Sequence, residues 1–138
     1  MRAVVDTNVL VSGLLGCRSA PARVVEFLFL GRLAWLYDLR ILGEYREVLS
    51  RPKFSHAIHP DDVEELGTLL ERVGECVFPA PGAFPQAVST DRDDLPFIEV
   101  ALAGKADCII TGNMRHFAGA GTHVRILTPA QCLELLCG

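Results

Sequence analysis

The chain has 138 residues, half of them hydrophobic, which suits one domain over residues 1–138 with a substantial core. Its formal net charge of −4 argues against a broad basic surface for nucleic acid, unless several acids gather around a cation in one pocket. Five cysteines without C-x-x-C spacing argue against a zinc or disulfide framework. No apolar run reaches the ~18 residues of a membrane span, and Asp6 breaks the N-terminal apolar stretch that a signal peptide would keep, so we expect a cytoplasmic protein with no membrane partner.

Strands and helices are predicted to alternate along the chain. The apolar runs predicted as strands are RAVVD, LAWLYD, ECVFP, DCIIT and HVRIL. Helices are predicted between them, with Pro21 in a first turn, Gly31 at a helix end and Pro52 as a stop signal. Because several strands are apolar throughout, this order predicts an α/β fold, a three-layer α/β/α sandwich around a mostly parallel central sheet.

Polar residues stand where the predicted strands end. In open parallel sheets, ligands bind outside the carboxyl ends of the strands. The residues at or near those ends are Asp6, Asp38, Asp91, Asp93, Asp94 and Asn113, with Glu44 and Glu47 on the helix after the second strand. These side chains are therefore the candidates for a functional site.

Three of these acids allow two interpretations each. Asp6 precedes Thr7 and Asn8, where it is either the cap of the next helix or a carboxylate at the mouth of a site. Glu44 lies at the edge of an apolar helix stripe, as a solvated side chain or a ligand. Asp94 follows the run TDRD and opens a helix, again as a cap or a ligand.

The combination of acids favours a metal centre. Several carboxylates at one sheet edge repel one another and resist ionisation unless a cation lies between them. Oxygen ligands with open water positions suit Mg²⁺ or Mn²⁺, which polarise phosphoryl oxygens and help to make hydroxide from water. Metal-assisted phosphodiester hydrolysis is the reaction class that fits these residues.

Four segments of the chain resemble the PIN-domain ribonucleases, particularly the VapC-like branch of toxin components of toxin–antitoxin systems. The segments are VVDTNVLVSGLL, EYREVLSRPKF, DRDDLPFIEVALAGKADCIITGNMRHF and ILTPAQCLELL, which span nearly the whole chain in the family's order. The resemblance implies an enzyme that cleaves single-stranded RNA endonucleolytically with Mg²⁺ or Mn²⁺. It also implies a homodimer that a small antitoxin protein holds inactive.

The same resemblance assigns roles to individual residues. Asp6, Glu44 and Asp94 take the family's acidic positions, which hold the cation. Asn113 takes the fourth catalytic position, where many members carry Asp, and would offer a neutral oxygen or orient a bound water. The residues expected to support the acids by hydrogen bonds are Thr7, Asn8 and Thr111, and the candidates to hold RNA phosphates are Arg51, Lys53, Arg115 and His116, the last also a candidate base.

Other functions fit the sequence less well or remain open. Because Asn113 removes one charge, an alternative is a weak or inactive module that binds RNA or a partner protein without cutting. Phosphoryl transfer through an aspartyl-phosphate is disfavoured, since Asn8 stands where a haloacid-dehalogenase-like phosphatase has an acid and no acid pair precedes Asp6. A Rossmann or P-loop nucleotide site is disfavoured because no glycine-rich loop follows the first strand.

Overall fold

The computed structural model describes residues 1–16, 18–85, 92–120 and 123–137. Asp91, one of the candidate acids, and Cys17 lie outside these ranges. Of the four described cysteines, Cys108 and Cys132 are buried as predicted, whereas Cys137 is exposed and Cys76 is half-buried. Among the described residues, we find no helix whose length and apolar character would let it cross a membrane.

The centre of the fold is a five-stranded sheet in the order β3-β2-β1-β4-β5, and every strand pair in it is parallel. The strands are β1 (Arg2–Val5), β2 (Ala34–Tyr37), β3 (Glu75–Cys76), β4 (Cys108–Ile110) and β5 (Arg125–Leu127). The chain moves outward from β1 to β3 and then returns to the other side of β1. The order therefore reverses between β1 and β4, which is where an open α/β sheet leaves a crevice.

The described residues form six α-helices that cover the sheet, and the predicted three-layer α/β/α sandwich is confirmed. They are α1 (Thr7–Leu15), α2 (Ala20–Phe29), α3 (Leu39–Leu49), α4 (Pro60–Val73), α5 (Leu95–Ala103) and α6 (Pro129–Cys137). Helix α5 packs against β1, β2 and β4, and the contacts between helices include those of α1 with α2, α2 with α6 and α3 with α4. Short 3₁₀ helices lie at Pro52–Phe54, Arg92–Asp94 and Met114–Ala120.

The element boundaries follow local sequence signals. Pro21 lies in the first turn of α2, and Gly31 has a φ of +71°, the left-handed conformation that ends helices and favours glycine. Strand β3 is shorter than predicted because only Val77 continues its pairing, by donating to the Tyr37 carbonyl, before Pro79 prevents a further ladder bond. Pro52 ends α3 as predicted and also begins a 3₁₀ turn.

A row of aromatic rings runs through the core and joins the elements that carry the candidate acids. Consecutive ring centroids are 5.9–6.4 Å apart along Phe29, Trp35, Tyr45, Phe97 and Phe117. Four of these residues are almost completely buried, and such contacts add about 0.5–1.5 kcal/mol each beyond burial alone. The row therefore fixes α3 and α5 relative to the sheet.

Candidate metal centre

Asp6 lies at the crevice between β1 and β4. Its backbone N–H donates to the Ile110 carbonyl (2.9 Å), which extends the strand pairing by one residue. Its side chain is 7% exposed and accepts a 2.7 Å hydrogen bond from the Thr111 hydroxyl. Although Asp6 occupies the N-cap position of α1, its side chain forms no capping hydrogen bond. The carboxylate thus has a side-chain partner that directly follows the neighbouring strand β4.

Glu44 reaches the same crevice from α3. The Thr7 hydroxyl donates a hydrogen bond to its carboxylate, so the residue after Asp6 also orients Glu44. Glu44 is half-buried, whereas Glu47, one turn further along α3, is exposed and paired with Arg51. The structure therefore brings Glu44, and not Glu47, to the crevice.

Asp94 approaches from the start of α5. It is 7% exposed, and its side chain forms no capping hydrogen bond to the helix. The Nδ1 atom of His116 lies 3.7 Å from its Oδ2 atom. The Asp94 carboxylate is therefore buried at the start of α5 without capping it.

The three acids line one cleft of about 380 Å³. The described residues that line it are Asp6, Thr7, Asn8, Val11, Ser12, Glu44, Val48, Phe54, Asp93, Asp94 and His116. The structure thus brings together the three predicted ligands, two of the three residues predicted to support them, and His116. Thr111 stands behind the cleft, fully buried beneath Asp6.

Burial and mutual repulsion make this cleft unfavourable for bare carboxylates. Desolvation raises the pKa of Asp6, while the Thr111 hydroxyl, the Thr7 backbone N–H and the nearby His116 oppose the shift. Desolvation also raises the pKa of Glu44, and the charges of Asp6, Asp93 and Asp94 raise it further against the Thr7 hydrogen bond. A bound cation would relieve both effects.

The donor set matches a hard divalent cation, although the ligands are not gathered in final coordination. Among the described residues, no group of three or more Asp, Glu, His or Cys side chains is close enough together to hold a metal ion. The cleft offers carboxylate oxygens, the chemistry that Mg²⁺ and Mn²⁺ prefer, and Mg²⁺ commonly binds through one or two carboxylates with waters completing its shell. The residues therefore fit such an ion that is partly bound through water.

Each residue of the turn Thr111–Gly112–Asn113, which follows β4, contacts a residue that lines the cleft. The Thr111 hydroxyl donates to Asp6 and accepts from the Asn113 backbone N–H (3.0 Å). The Gly112 N–H donates to Asn8 Oδ1 (3.1 Å), which ties the start of α1 to this turn. The Asn113 amide nitrogen lies 3.0 Å from Nε2 of His116, and Asn113 is absent from the described residues that line the cleft. Its side chain is therefore directed to His116.

The four residues predicted to bind RNA phosphates differ in their position relative to the cleft. Arg51 pairs with Glu47 and lies on a neighbouring cleft. The Lys53 ammonium is 5.1 Å from the centre of the Phe54 ring, which itself lines the candidate site. Arg115 is exposed on the 3₁₀ helix that also carries His116. Only His116 among the four lines the cleft directly.

Two positioning residues were missed in the sequence. The Tyr45 hydroxyl, buried in the core, donates to the Val5 carbonyl at 2.5 Å and thereby joins the residues next to Glu44 and Asp6. Burial strongly raises the pKa of Tyr45, so the hydroxyl remains a donor. Sequence periodicity showed Tyr45 only as part of an apolar face, because its hydroxyl partner comes from a distant strand.

The second missed residue is Arg40, which links two elements of the site. Its guanidinium contacts Asp38 at 2.8 Å and Glu99 of α5 at 2.8 Å. Asp38 also caps α3 by accepting from the Ile41 N–H (2.9 Å). Asp38, a strand-end acid like Asp6, therefore has a structural role here.

Comparisons with known proteins agree with this fold. The structure of VapBC2 from Rickettsia felis bound to a DNA fragment from their promoter is similar, with a TM-score of 0.61 at 16% identity over 93% of this chain and 98% of that chain. VapBC-1 from nontypeable Haemophilus influenzae gives 0.61 at 16% identity, covering 94% and 99%. FitAB bound to an IR36 DNA fragment gives 0.60 at 15% identity, covering 92% and 94%.

Similarity at this level of identity shows a shared fold. No curated protein matches the sequence. The family model described as the PIN domain matches residues 2–115, which include Asp6, Glu44, Asp94 and Asn113. This chain therefore belongs to the PIN domain family.

Proposed function

We propose that the protein is a metal-dependent endoribonuclease that cleaves the phosphodiester bonds of single-stranded RNA, as the toxin of a toxin–antitoxin pair. One observation carries the proposal: Asp6, Glu44 and Asp94, from distant parts of the chain, line one cleft at the strand-order reversal. Burial disfavours the metal-free charged state of Asp6 and of Glu44, and repulsion from Asp6, Asp93 and Asp94 adds to this effect at Glu44. Membership of the PIN domain family supports a nuclease.

In this proposal, Asp6, Glu44 and Asp94 would hold Mg²⁺ or Mn²⁺ directly or through water. When bound, the ion would supply Lewis-acid chemistry, polarising a phosphoryl oxygen and lowering the pKa of water. The Thr111 hydroxyl donates to one carboxylate oxygen of Asp6, and the Thr7 hydroxyl donates to one of Glu44. These hydrogen bonds fix the direction in which the other oxygen of each carboxylate points.

The RNA would lie across the mouth of the cleft. His116 stands there beside Asp94 and would contact a phosphate or move a proton at its ring nitrogen. The other cations that would hold RNA phosphates are Arg51, Lys53 and Arg115. Asn113 would act through its contact with His116 and not as a ligand, because its side chain is turned that way.

Replacing Asp6 by Asn tests the proposal directly. We expect Asp6→Asn to abolish Mn²⁺-dependent cleavage of a panel of single-stranded RNAs, because the amide keeps the shape but removes the charge that binds the ion. Asp61→Asn, at an exposed acid on α4, is the matched control and should cleave like wild type. Full activity of Asp6→Asn would exclude this site.

The proposed partners are a small antitoxin protein and a second copy of the chain. The similar solved structures are VapBC and FitAB assemblies, two of them bound to DNA, which supports an antitoxin partner. Trp35 is fully buried in the core and cannot contribute to such an interface, whereas the apolar residues Phe27 and Phe29 are half-buried on α2. Light scattering of the purified chain measures whether it forms the dimer.

A second function is a module that binds RNA or a protein partner without cutting. The absence of a ready three-ligand cluster among the described residues and the amide at Asn113 favour this alternative. Titration calorimetry separates the two functions. Binding of Mn²⁺ that Asp6→Asn removes supports the nuclease, whereas RNA binding without Mn²⁺ binding at millimolar metal supports the module.

A further inference from the structure

A second cleft, of about 420 Å³, adjoins the candidate metal centre along α3. Glu44, Val48 and Asp93 border both clefts, so an extended ligand that crosses the first would continue into the second. The rest of its lining is Arg40, Gly43, Glu47, Arg51 and Pro96. Its volume is within the range of ligand sites in proteins.

Gly43 lies in the interior of α3 and is exposed at this cleft. In the part of the chain that the structure describes, no atom lies within 4 Å of where a Cβ atom at this position would be, and the φ of Gly43 is not in the left-handed region. Neither the protein's packing nor its backbone conformation therefore requires glycine, although glycine destabilises a helix interior relative to alanine. Close approach of a ligand to the helix backbone is a physical reason for a glycine here.

The two arginines of the second cleft differ in how firmly they are held. Arg40 contacts Asp38 through Nε and Nη2 and Glu99 through Nη1, so two carboxylates hold its guanidinium in place at the side of the cleft. Among the described residues, the ion-pair partner of Arg51 is Glu47 one helix turn away, and both side chains are about half exposed or more. Such surface pairs contribute little, so the Arg51 guanidinium can exchange its carboxylate for a phosphate, which it matches as a planar fork.

We propose that this second cleft binds the RNA strand on one side of the scissile phosphate, with the sugar–phosphate backbone lying on Gly43 and a phosphate held by Arg51. The proposal rests on the proposed function, because it takes RNA as the ligand. The acids Glu44 and Asp93, which border the cleft, also border the candidate metal centre, so a cation there would offset their repulsion of the RNA backbone. A polar cleft continuous with that centre fits a polyanion better than an apolar peptide.

Gly43→Ala tests the proposal because its two expected effects have opposite signs. We expect the midpoint of thermal unfolding to rise by about 3 °C, since alanine favours the helix. Affinity for a fluorescein-labelled pool of mixed-sequence single-stranded RNA, measured in Ca²⁺, should fall by about tenfold because the methyl group occupies the backbone's place. Arg51→Ala should weaken the same affinity and make it less dependent on salt.

Thr68→Ala, at an exposed interior position of α4, is the control: the midpoint should rise and RNA affinity should not change. Unchanged RNA affinity of Gly43→Ala would overturn the proposal, and so would a lower midpoint, because the fold itself would then require glycine. Wild type that binds RNA in this Gly43-dependent way but does not cleave in Mn²⁺ would support the inference and contradict the proposed function. If wild type cleaves RNA and Gly43→Ala cleaves it equally well, the proposed function would be supported and this inference contradicted. If wild type neither binds nor cleaves RNA, both would be contradicted.

Discussion

Thr111 joins three parts of the site through a single hydroxyl group. It is fully buried, donates to Asp6 and accepts from the Asn113 backbone N–H. A buried carboxylate that loses such a donor is destabilised by about 1.5–3 kcal/mol, since hydrogen bonds to charged groups are the stronger ones. The orientation of Asp6 therefore depends on a residue that would not itself touch a ligand.

We expect Thr111→Val to weaken Mn²⁺ binding and to lower the free energy of unfolding at neutral pH by about 1–3 kcal/mol. The isostere keeps the packing volume but leaves Asp6 and the Asn113 N–H without their partner. Calorimetry and urea denaturation measure the two effects. Thr111→Ser keeps the hydroxyl, so it should retain the Mn²⁺ affinity; an equal loss in both variants would show that packing alone is responsible.

Asn113 is better placed to orient His116 than to bind an ion. We expect Asn113→Asp to change Mn²⁺ affinity much less than Asp94→Asn does, because the side chain at position 113 faces His116 and does not line the cleft. Calorimetry on the two variants gives the comparison. A large gain in affinity for Asn113→Asp would instead place this side chain among the ligands.

Single residues also mark the limit of what the sequence could predict. Asp6 and Asp38 both follow an apolar strand and precede a helix, yet only Asp38 forms the capping bond. The difference comes from partners that are distant in sequence for Asp6, namely Thr111, and from Arg40 beside Asp38. Sequence pattern gives the position of such an acid but not which hydrogen bond its side chain forms.

At the scale of elements, the site depends on α3 and α5 keeping a fixed separation. Arg40 on α3 contacts Glu99 on α5, and Tyr45 ties α3 to the end of β1. Glu44 and Asp94 are carried by these helices or by the residue just before them. The helices themselves were predictable from proline, glycine and apolar periodicity, whereas their cross-links were not, because neither partner has a local signal.

We expect Arg40→Ala to lower the free energy of unfolding by about 1 kcal/mol, a modest amount since the guanidinium is nearly half exposed. It should also weaken Mn²⁺ binding, although Arg40 does not line the first cleft. Without the Arg40 contacts, the spacing between Glu44 and Asp94 would be less well defined. Urea denaturation and calorimetry measure these effects. Arg46→Ala removes a 3.9 Å surface pair from the same helix and should change both quantities only slightly. If the two variants behave alike, the Arg40 link is not needed for the site.

For the whole molecule, the cleft makes stability depend on pH when no metal is present. The folded-state pKa values of Asp6 and Glu44 are raised above the ordinary 3.8 and 4.5. The folded state therefore holds their protons more tightly, and this contribution to stability is complete below pH about 4 and is lost as pH rises through the raised values. Each proton involved gives a slope of up to about 1.4 kcal/mol per pH unit.

We therefore expect the free energy of unfolding in EDTA to decline from pH about 4 towards neutral more steeply for wild type than for the double variant Asp6→Asn/Glu44→Gln. Urea denaturation across this range gives both curves. Added Mn²⁺ should restore stability at neutral pH in wild type alone, because a ligand of the native state stabilises it by mass action. Parallel curves would show that folding does not raise the pKa values of these two acids.

The overall architecture was the most predictable level. Alternation of apolar runs with helical patterns was sufficient for a parallel α/β/α sandwich, and strand ends pointed to Asp6 and Asn113. Strand order required the structure, since β3 has only two residues and the pairing of β1 with β4 joins segments over a hundred positions apart. The reversal point that creates the crevice follows from that order.

The residues that form this crevice are far apart in the sequence, and their separation has a consequence for protein synthesis. Asp6 is synthesised 105 residues before its hydrogen-bond donor Thr111, and β1 gains its second neighbour only when β4 is made. Long-range parallel pairing of this kind closes late in folding. A nascent chain therefore carries two of the three acids by residue 44 without possessing the cleft. If the cleft cleaves RNA, the nuclease can form only after the residues between Glu44 and β4 have been synthesised, which leaves an interval in which a partner protein can already be present.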